Sequence, residues 1–152
     1  MEIALFQPDI AGNVGTTLRT AACFGVRAHI IEPCGFPFSD GALKRAGMDY
    51  ATRANVQRHA DWSAFRQWSA DAERRLILLT TAGATPFPAF SFRPDDIILL
   101  GAESSGVPPH VHDAAAHRIA IPMQPGFRSL NVAVAAGIAL AEALRQTKGF
   151  PA

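Results

Sequence analysis

Arg118–Arg145, RIAIPMQPGFRSLNVAVAAGIALAEALR, is the stretch around which the rest of the chain must be arranged. Ile119 to Ile121 makes a short apolar strand. Pro122 and Pro125 follow within four residues, and each fixes φ and lacks an N–H, so the strand must give way to a loop. Ser129 and Asn131 are residue types that cap a helix by accepting from its unpaired N–H groups. The helix beyond them carries Val132, Val134, Ala135, Ala136, Ile138, Leu140, Ala143 and Leu144, and is apolar on nearly every face. Such a helix is buried all round, in a core or between subunits. A loop feeding its N-terminus offers N–H donors and a rigid rim, which suits a polar ligand. Taken by itself, the stretch is equally an ordinary strand–loop–helix crossover.

Upstream, strands and helices alternate. Ile3 to Phe6 is an apolar run closed by Gln7-Pro8, and Val14 to Phe24 has Val14, Leu18, Ala21 and Ala22 at helical spacing, with Gly25 placed to stop the helix. Ala28 to Ile31 forms a second strand ending at Glu32-Pro33. Ser39-Asp40 can cap a short helix through Ala46, stopped at Gly47. Asp61 starts another helix, with Trp62, Phe65 and Trp68 on one face. Leu76 to Thr80 and Ile97 to Leu100 are continuous apolar runs, as expected of strands covered on both faces. The Pro- and Phe-rich segment from Thr81 to Pro94 is the one plausible long loop, and Pro108-Pro109 opens a short helix. This alternation predicts an α/β fold with a parallel sheet, whose ligands bind beyond the carboxyl ends of the strands.

Composition narrows the chemistry. A chain of 152 residues fits one domain, 1–152, able to bury about two thirds of its unfolded surface. Hydrophobic residues make up 49%, which excludes a disordered chain. No apolar run approaches the ~20 residues of a membrane span, and Met-Glu-Ile-Ala-Leu lacks the basic start of a signal peptide, so a cytoplasmic protein without a membrane partner is expected. Cys23 and Cys34 are too few for a disulfide framework and have no metal-ligand spacing, so no metal is expected. With a net charge of +1, any affinity for nucleic acid must come from a local patch.

Three loops that leave strand ends carry the polar residues. The first holds Asn13, Gly15 and Arg19; the second runs Gly101-Ala-Glu103-Ser-Ser-Gly106-Val-Pro108; the third is the loop between Ile121 and Asn131. Singly, each is compatible with turn glycines and a solvated arginine. The first also imitates a dinucleotide site, with Gly12-x-x-Gly15 and then Glu32 for a ribose, but it lacks the leading G-x-G pair.

Taken in order, N-x-G-x-x-x-R, G-x-E-x-x-G-x-P and I-P-M-x5-S-L-N resemble the three motifs of the SPOUT superfamily of RNA 2'-O-ribose methyltransferases. His29–Phe36 (HIIEPCGF) and Arg45–Tyr50 (RAGMDY) are similar to its short, single-domain branch that acts on the tRNA wobble nucleotide. The resemblance spans nearly the whole chain, with no added RNA-binding domain. It implies a deep C-terminal trefoil knot, formed by strands ending at Thr80, Leu100 and Ile121 and threaded by the last helix. It also implies S-adenosylmethionine held by Leu79, Thr80, Gly101, Glu103, Ile121, Met123, Ser129 and Leu130.

The implied reaction is methylation of a wobble cytidine or uridine ribose in tRNA. Arg19, Ser129 and Asn131 sit at the family's catalytic positions, with Asn13 holding Arg19. Phosphate contacts would come from Arg19, Lys44, Arg45 and Arg128, with Arg53 and Arg58 as further candidates. The family is homodimeric through its last helix, so Ala136→Glu or Ala139→Glu is expected to disrupt the dimer. Two positions depart from the pattern: Ser105, where relatives often carry arginine, and Ala141, where an aromatic is common. The same chemistry on another tRNA or rRNA nucleotide, or a non-catalytic cofactor- or RNA-binding module, are the alternatives.

Overall fold

The computed structural model describes residues 1–45, 53–82 and 85–152. Among these, seven strands form one sheet: β1 Glu2–Phe6, β2 Arg27–Ile31, β3 Val56–His59, β4 Leu76–Leu79, β5 Thr85–Pro86, β6 Ile97–Leu100 and β7 His117–Ala120. Their order is β3-β2-β1-β6-β4-β7-β5, and every pairing is parallel. The helices are α1 Ala11–Cys23, α2 Asp40–Arg45, α3 Trp62–Asp71, α4 Pro109–Ala114 and α5 Val132–Thr147.

Strand alternation sends side chains to two cores. Ile3, Leu5, Ile30, Ile98 and Ile119 pack against Val14 and Leu18 of α1 and Ala136, Ala139 and Leu140 of α5. Ala4, Phe6, Leu76, Leu78 and Leu99 face the other way, onto Phe65 of α3 and Val111 of α4. With helices on both faces, the central strands are apolar at successive positions, which is why β4 and β6 have no polar alternation.

The local signals place most boundaries. Asp61 caps α3 by accepting from the Ala64 N–H at 2.8 Å, and Pro109 opens α4 at its first turn. Gly25 takes φ +66° just beyond α1, a left-handed conformation that favours glycine. Ser39 caps α2 by accepting from the Ala42 N–H at 3.1 Å. The expected end of that helix at Ala46–Gly47, and the Ala46–Tyr50 part of the second family signature, lie outside the described residues.

Two strands differ from expectation. β3 is an edge strand, VQRH, whose single aliphatic residue gives no apolar run. β5 has only two residues within the expected long loop, followed by one 3-10 turn at Phe87–Ala89. The last helix is also not enclosed by its own subunit: Val134 and Ile138 are 51% and 37% exposed, while Ala136 and Ala139 are 1% and 0%. The two alanines expected to face a partner therefore belong to the core against the sheet, and Val134 and Ile138 take the outward positions.

One polar cluster lies within the second core. The carboxylate of Glu2 can only accept, so His29 donates from Nε2 to it at 2.8 Å, and its Nδ1 accepts from His59 Nε2 at 3.0 Å. Arg74 reaches the same carboxylate at 3.2 Å, and Phe65 and Trp68 pack on the imidazoles. Burial lowers the His29 pKa from 6.5 to about 4, against the opposing pull of Glu2, and lowers His59 as well.

Candidate active site

A cavity of about 620 Å³ opens at the carboxyl ends of β4 and β6 and just beyond β7, where an open α/β sheet offers loop backbone rather than side-chain bulk. All eight residues expected at a cofactor line it: Leu79, Thr80, Gly101, Glu103, Ile121, Met123, Ser129 and Leu130. Asn13, Arg128 and Asn131 line it too. Leu78, Leu100 and Val107 add apolar wall. The Thr80 N–H is held by the Ile119 carbonyl at 2.9 Å, fixing the end of β4 against β7.

The second loop is a closed unit. Ala102 and Gly106 exchange two backbone hydrogen bonds, at 3.0 and 2.8 Å. Gly106 has φ +66°, and a Cβ on Gly101 would lie 2.5 Å from the Gly106 carbonyl carbon. Glycine at 101 is thus demanded by the close approach of two backbones.

The three loops meet through side chains. Asn13 donates from Nδ2 to Glu103 Oε1 at 3.1 Å, and Asn131 donates from Nδ2 to Asn13 Oδ1 at 2.9 Å. The Asn131 side-chain Oδ1 then caps α5, accepting from Ala133 N at 2.9 Å and Val134 N at 3.3 Å. One residue from each motif is therefore joined in a continuous relay. Within this relay the partners of Asn13 are Glu103 and Asn131.

Sequence reasoning missed Asp9 and Ser104. Asp9 donates its backbone N–H to Glu103 Oε2 at 2.7 Å, and its Oδ2 accepts from the Ser104 N–H at 3.0 Å and the Ser104 hydroxyl at 2.6 Å. These two donors hold the Asp9 carboxyl below its usual pKa. A carboxylate in the first loop and a Ser-Ser pair in the second were the available signals, but nothing in their spacing joins them.

The basic residues are less gathered. Arg128 lies on the cavity wall. Arg19 is exposed on α1, which begins beside the cavity at Ala11, and does not line it. Lys44 and Arg45 are exposed in the last turn of α2, a helix that packs on α1. Arg53 is exposed, whereas Arg58 is bound to Glu32 at 2.6 Å and stacks over Phe38 at 4.7 Å. The pairing of Glu32 with Arg58 leaves the dinucleotide-like layout without its acidic ribose ligand. Ser105 is exposed in the second loop, and Ala141 is half-buried on α5.

The cavity is large enough for a small organic ligand. Its walls combine apolar side chains with Asn13, Thr80, Arg128, Ser129 and Asn131, and both oxygens of Glu103 are already engaged by Asp9 and Asn13. Among the described residues no group of three or more His, Cys, Asp or Glu could hold a metal ion, and no helix is long and apolar enough to cross a membrane.

Comparison with known proteins gives a consistent result. The model of the SpoU rRNA methylase family matches residues 1–141. A tRNA (cytidine(34)-2'-O)-methyltransferase of Beijerinckia indica is 56% identical over 144 residues, covering 95% of this chain and 90% of that protein. The protein of the same name from Escherichia coli K12 is 40% identical over 153 residues, covering 99% and 96%. A solved structure concerned with 2-OH methylation of C/U34 on tRNA superposes with a TM-score of 0.88 at 38% identity, over 95% of this chain and 94% of that one. An AdoMet-bound rRNA methyltransferase from Sinorhizobium meliloti superposes with a TM-score of 0.85 at 29% identity, over 95% and 55%.

Proposed function

Because the chain belongs to the SpoU methylase family, we propose that it transfers a methyl group from S-adenosylmethionine to the ribose 2'-hydroxyl of the wobble cytidine or uridine of a tRNA anticodon loop. The observation that carries this reading is the relay Glu103–Asn13–Asn131, which brings one residue of each motif to one cavity wall. The wobble position rests on the relatives, whose names specify cytidine 34.

When bound, the cofactor supplies a methyl group on a sulfonium, electrophilic enough that the protein's task is to position the hydroxyl and ease loss of its proton. Leu79, Thr80, Gly101, Ile121, Met123 and Leu130 would hold it, with Glu103 bracing the wall. Ser129 and Asn131 hold the ribose, and Asn131 is already oriented by its bonds to Asn13 and the first turn of α5. A guanidinium keeps its proton in proteins and is a poor base. Arg19 therefore stabilises the developing alkoxide and grips the neighbouring phosphate, which its planar fork suits. Arg128, Lys44 and Arg45 extend the phosphate contacts, and no metal takes part.

Residues 1–152 act as one methyltransferase domain, in the cytoplasm where tRNA is found. The chain is tied as a trefoil knot. Support comes from β7, which lies between β4 and β5, inside the loop that the chain makes on its way from β4 to β6. α5 then packs back on α1 and β6, and Gln146 binds the return segment through Phe92 N and Phe90 O, both at 3.0 Å. The protein works as a homodimer through the outward face of α5, supported by the exposure of Leu130, Val134 and Ile138.

The test is mass-spectrometric mapping of ribose methylation on tRNA lacking the modification, before and after incubation with protein and S-adenosylmethionine. A new 2'-O-methyl at position 34 is expected. Methylation at another nucleotide would redirect the substrate, and cofactor binding without transfer would leave a binding module.

A further inference from the structure

We propose that Asp9 is a positioning residue, a latch that fastens the cofactor-side loop to the loop carrying Asn13 while touching neither ligand. The inference rests on the methyl-transfer reading of the site. Asp9 does not line the cavity, yet it holds the second loop at two points: its backbone N–H binds Glu103, and its carboxylate binds both donors of Ser104. It is itself held from behind. The Pro8 carbonyl accepts from Gly35 N at 2.9 Å, and a Cβ on Gly35 would lie 3.0 Å from the Asp9 Cα, so the 32–36 segment packs directly against this turn.

The second loop is closed on itself by the Ala102–Gly106 pair, so it moves as a unit. Freed from the Asp9 carboxylate, the loop would turn about the remaining Asp9 N–H–Glu103 bond and strain Glu103 against Asn13, and the hold of Asn13 on Asn131 would loosen in turn. A displacement of about 1 Å in such a constellation costs on the order of a hundredfold in rate. Asp9 thereby sets the distance between the cofactor wall and the ribose-holding residues.

The geometry also separates a latch from a charge effect. Both Ser104 donors go to one oxygen, Oδ2, which an asparagine carbonyl can replace. Asp9→Asn should therefore keep both points of the latch, and Asp9→Ala should lose the Ser104 point while its backbone N–H still binds Glu103. Ser104→Ala removes the 2.6 Å bond alone and should fall between them, and the double variant with Asp9→Ala should be no worse than Asp9→Ala.

Two measurements decide. Amide hydrogen exchange of the ligand-free protein should speed up over residues 101–107 in Asp9→Ala and stay near wild type in Asp9→Asn. Single-turnover methyl transfer at saturating cofactor should fall roughly tenfold to a hundredfold in Asp9→Ala and within about threefold in Asp9→Asn, with unchanged melting temperatures. Asp9→Asn as slow as Asp9→Ala, wild-type exchange in Asp9→Ala, or a rate loss that tracks melting would each overturn the latch. Hydrogen exchange needs no RNA, so a wild-type protein that fails to methylate tRNA would count against the proposed function while leaving the latch to be decided.

Discussion

In the proposed reaction Gly101 would belong to the cofactor side of the site and Arg19 to the ribose side, so their variants should fail in opposite ways. Gly101→Ala puts a Cβ 2.5 Å from the Gly106 backbone, so the loop itself must move. Cofactor affinity should drop at least tenfold by calorimetry, and turnover should be recovered in part by excess S-adenosylmethionine. Arg19→Ala stands away from the cavity wall, so it should bind cofactor as wild type yet lose roughly a hundredfold in single-turnover transfer. Arg19→Lys should rescue poorly, because a point charge does not replace a planar fork. Wild-type turnover in Arg19→Ala would show that another group acts on the ribose. The lining residues were legible only through the resemblance carried by three motifs in order, since each loop alone reads as an ordinary turn. Asp9 and Ser104 were not, since a bond between residues 95 positions apart leaves no periodicity to read.

At the scale of elements, α5 shows both what an apolar pattern says and where it stops. Its composition announced burial, but an all-apolar helix does not reveal which stripe meets its own sheet. The described contacts assign Ala136, Ala139, Leu140 and Ala143 inward and leave Val134 and Ile138 outward. A single Glu at Ile138 or Val134 should therefore give monomers by light scattering while the melting temperature of each subunit stays near wild type. Ala136→Glu should instead unfold the subunit, because it buries a charge in the core. If Ile138→Glu and Val134→Glu both remain dimeric, the interface lies elsewhere. Among the strands, β1, β2, β4 and β6 were legible as apolar runs. The edge strands were not: β3 has one aliphatic residue, and β5 is a two-residue addition that only its pairing with β7 makes a strand.

For the molecule as a whole, acid is the sensitive variable. His29 is buried in neutral form, with a folded pKa of about 4 against 6.5 for the free side chain. Between those values the unfolded chain binds a proton that the folded chain refuses, so stability falls as pH falls through that window. The shift is worth about 3 kcal/mol for His29 when complete. Melting temperature should thus decline from pH 7 toward pH 4.5, and His29→Gln should show a shallower decline; equal slopes would place the acid sensitivity in other groups. The sheet also has a bearing on how the protein is made. The cavity takes its walls from residues as far apart as Ile10 and Ala135. Synthesis runs from the N-terminus, so Asn13 and Glu103 are both polymerised before Asn131 exists to join them. A nascent chain halted just short of that residue has all seven strands but lacks the Asn131, Val132 and Ala135 part of the cavity wall. If the cavity takes a methyl donor as proposed, its capture should await the last helix, and a product stalled before Asn131 should compete poorly for that donor.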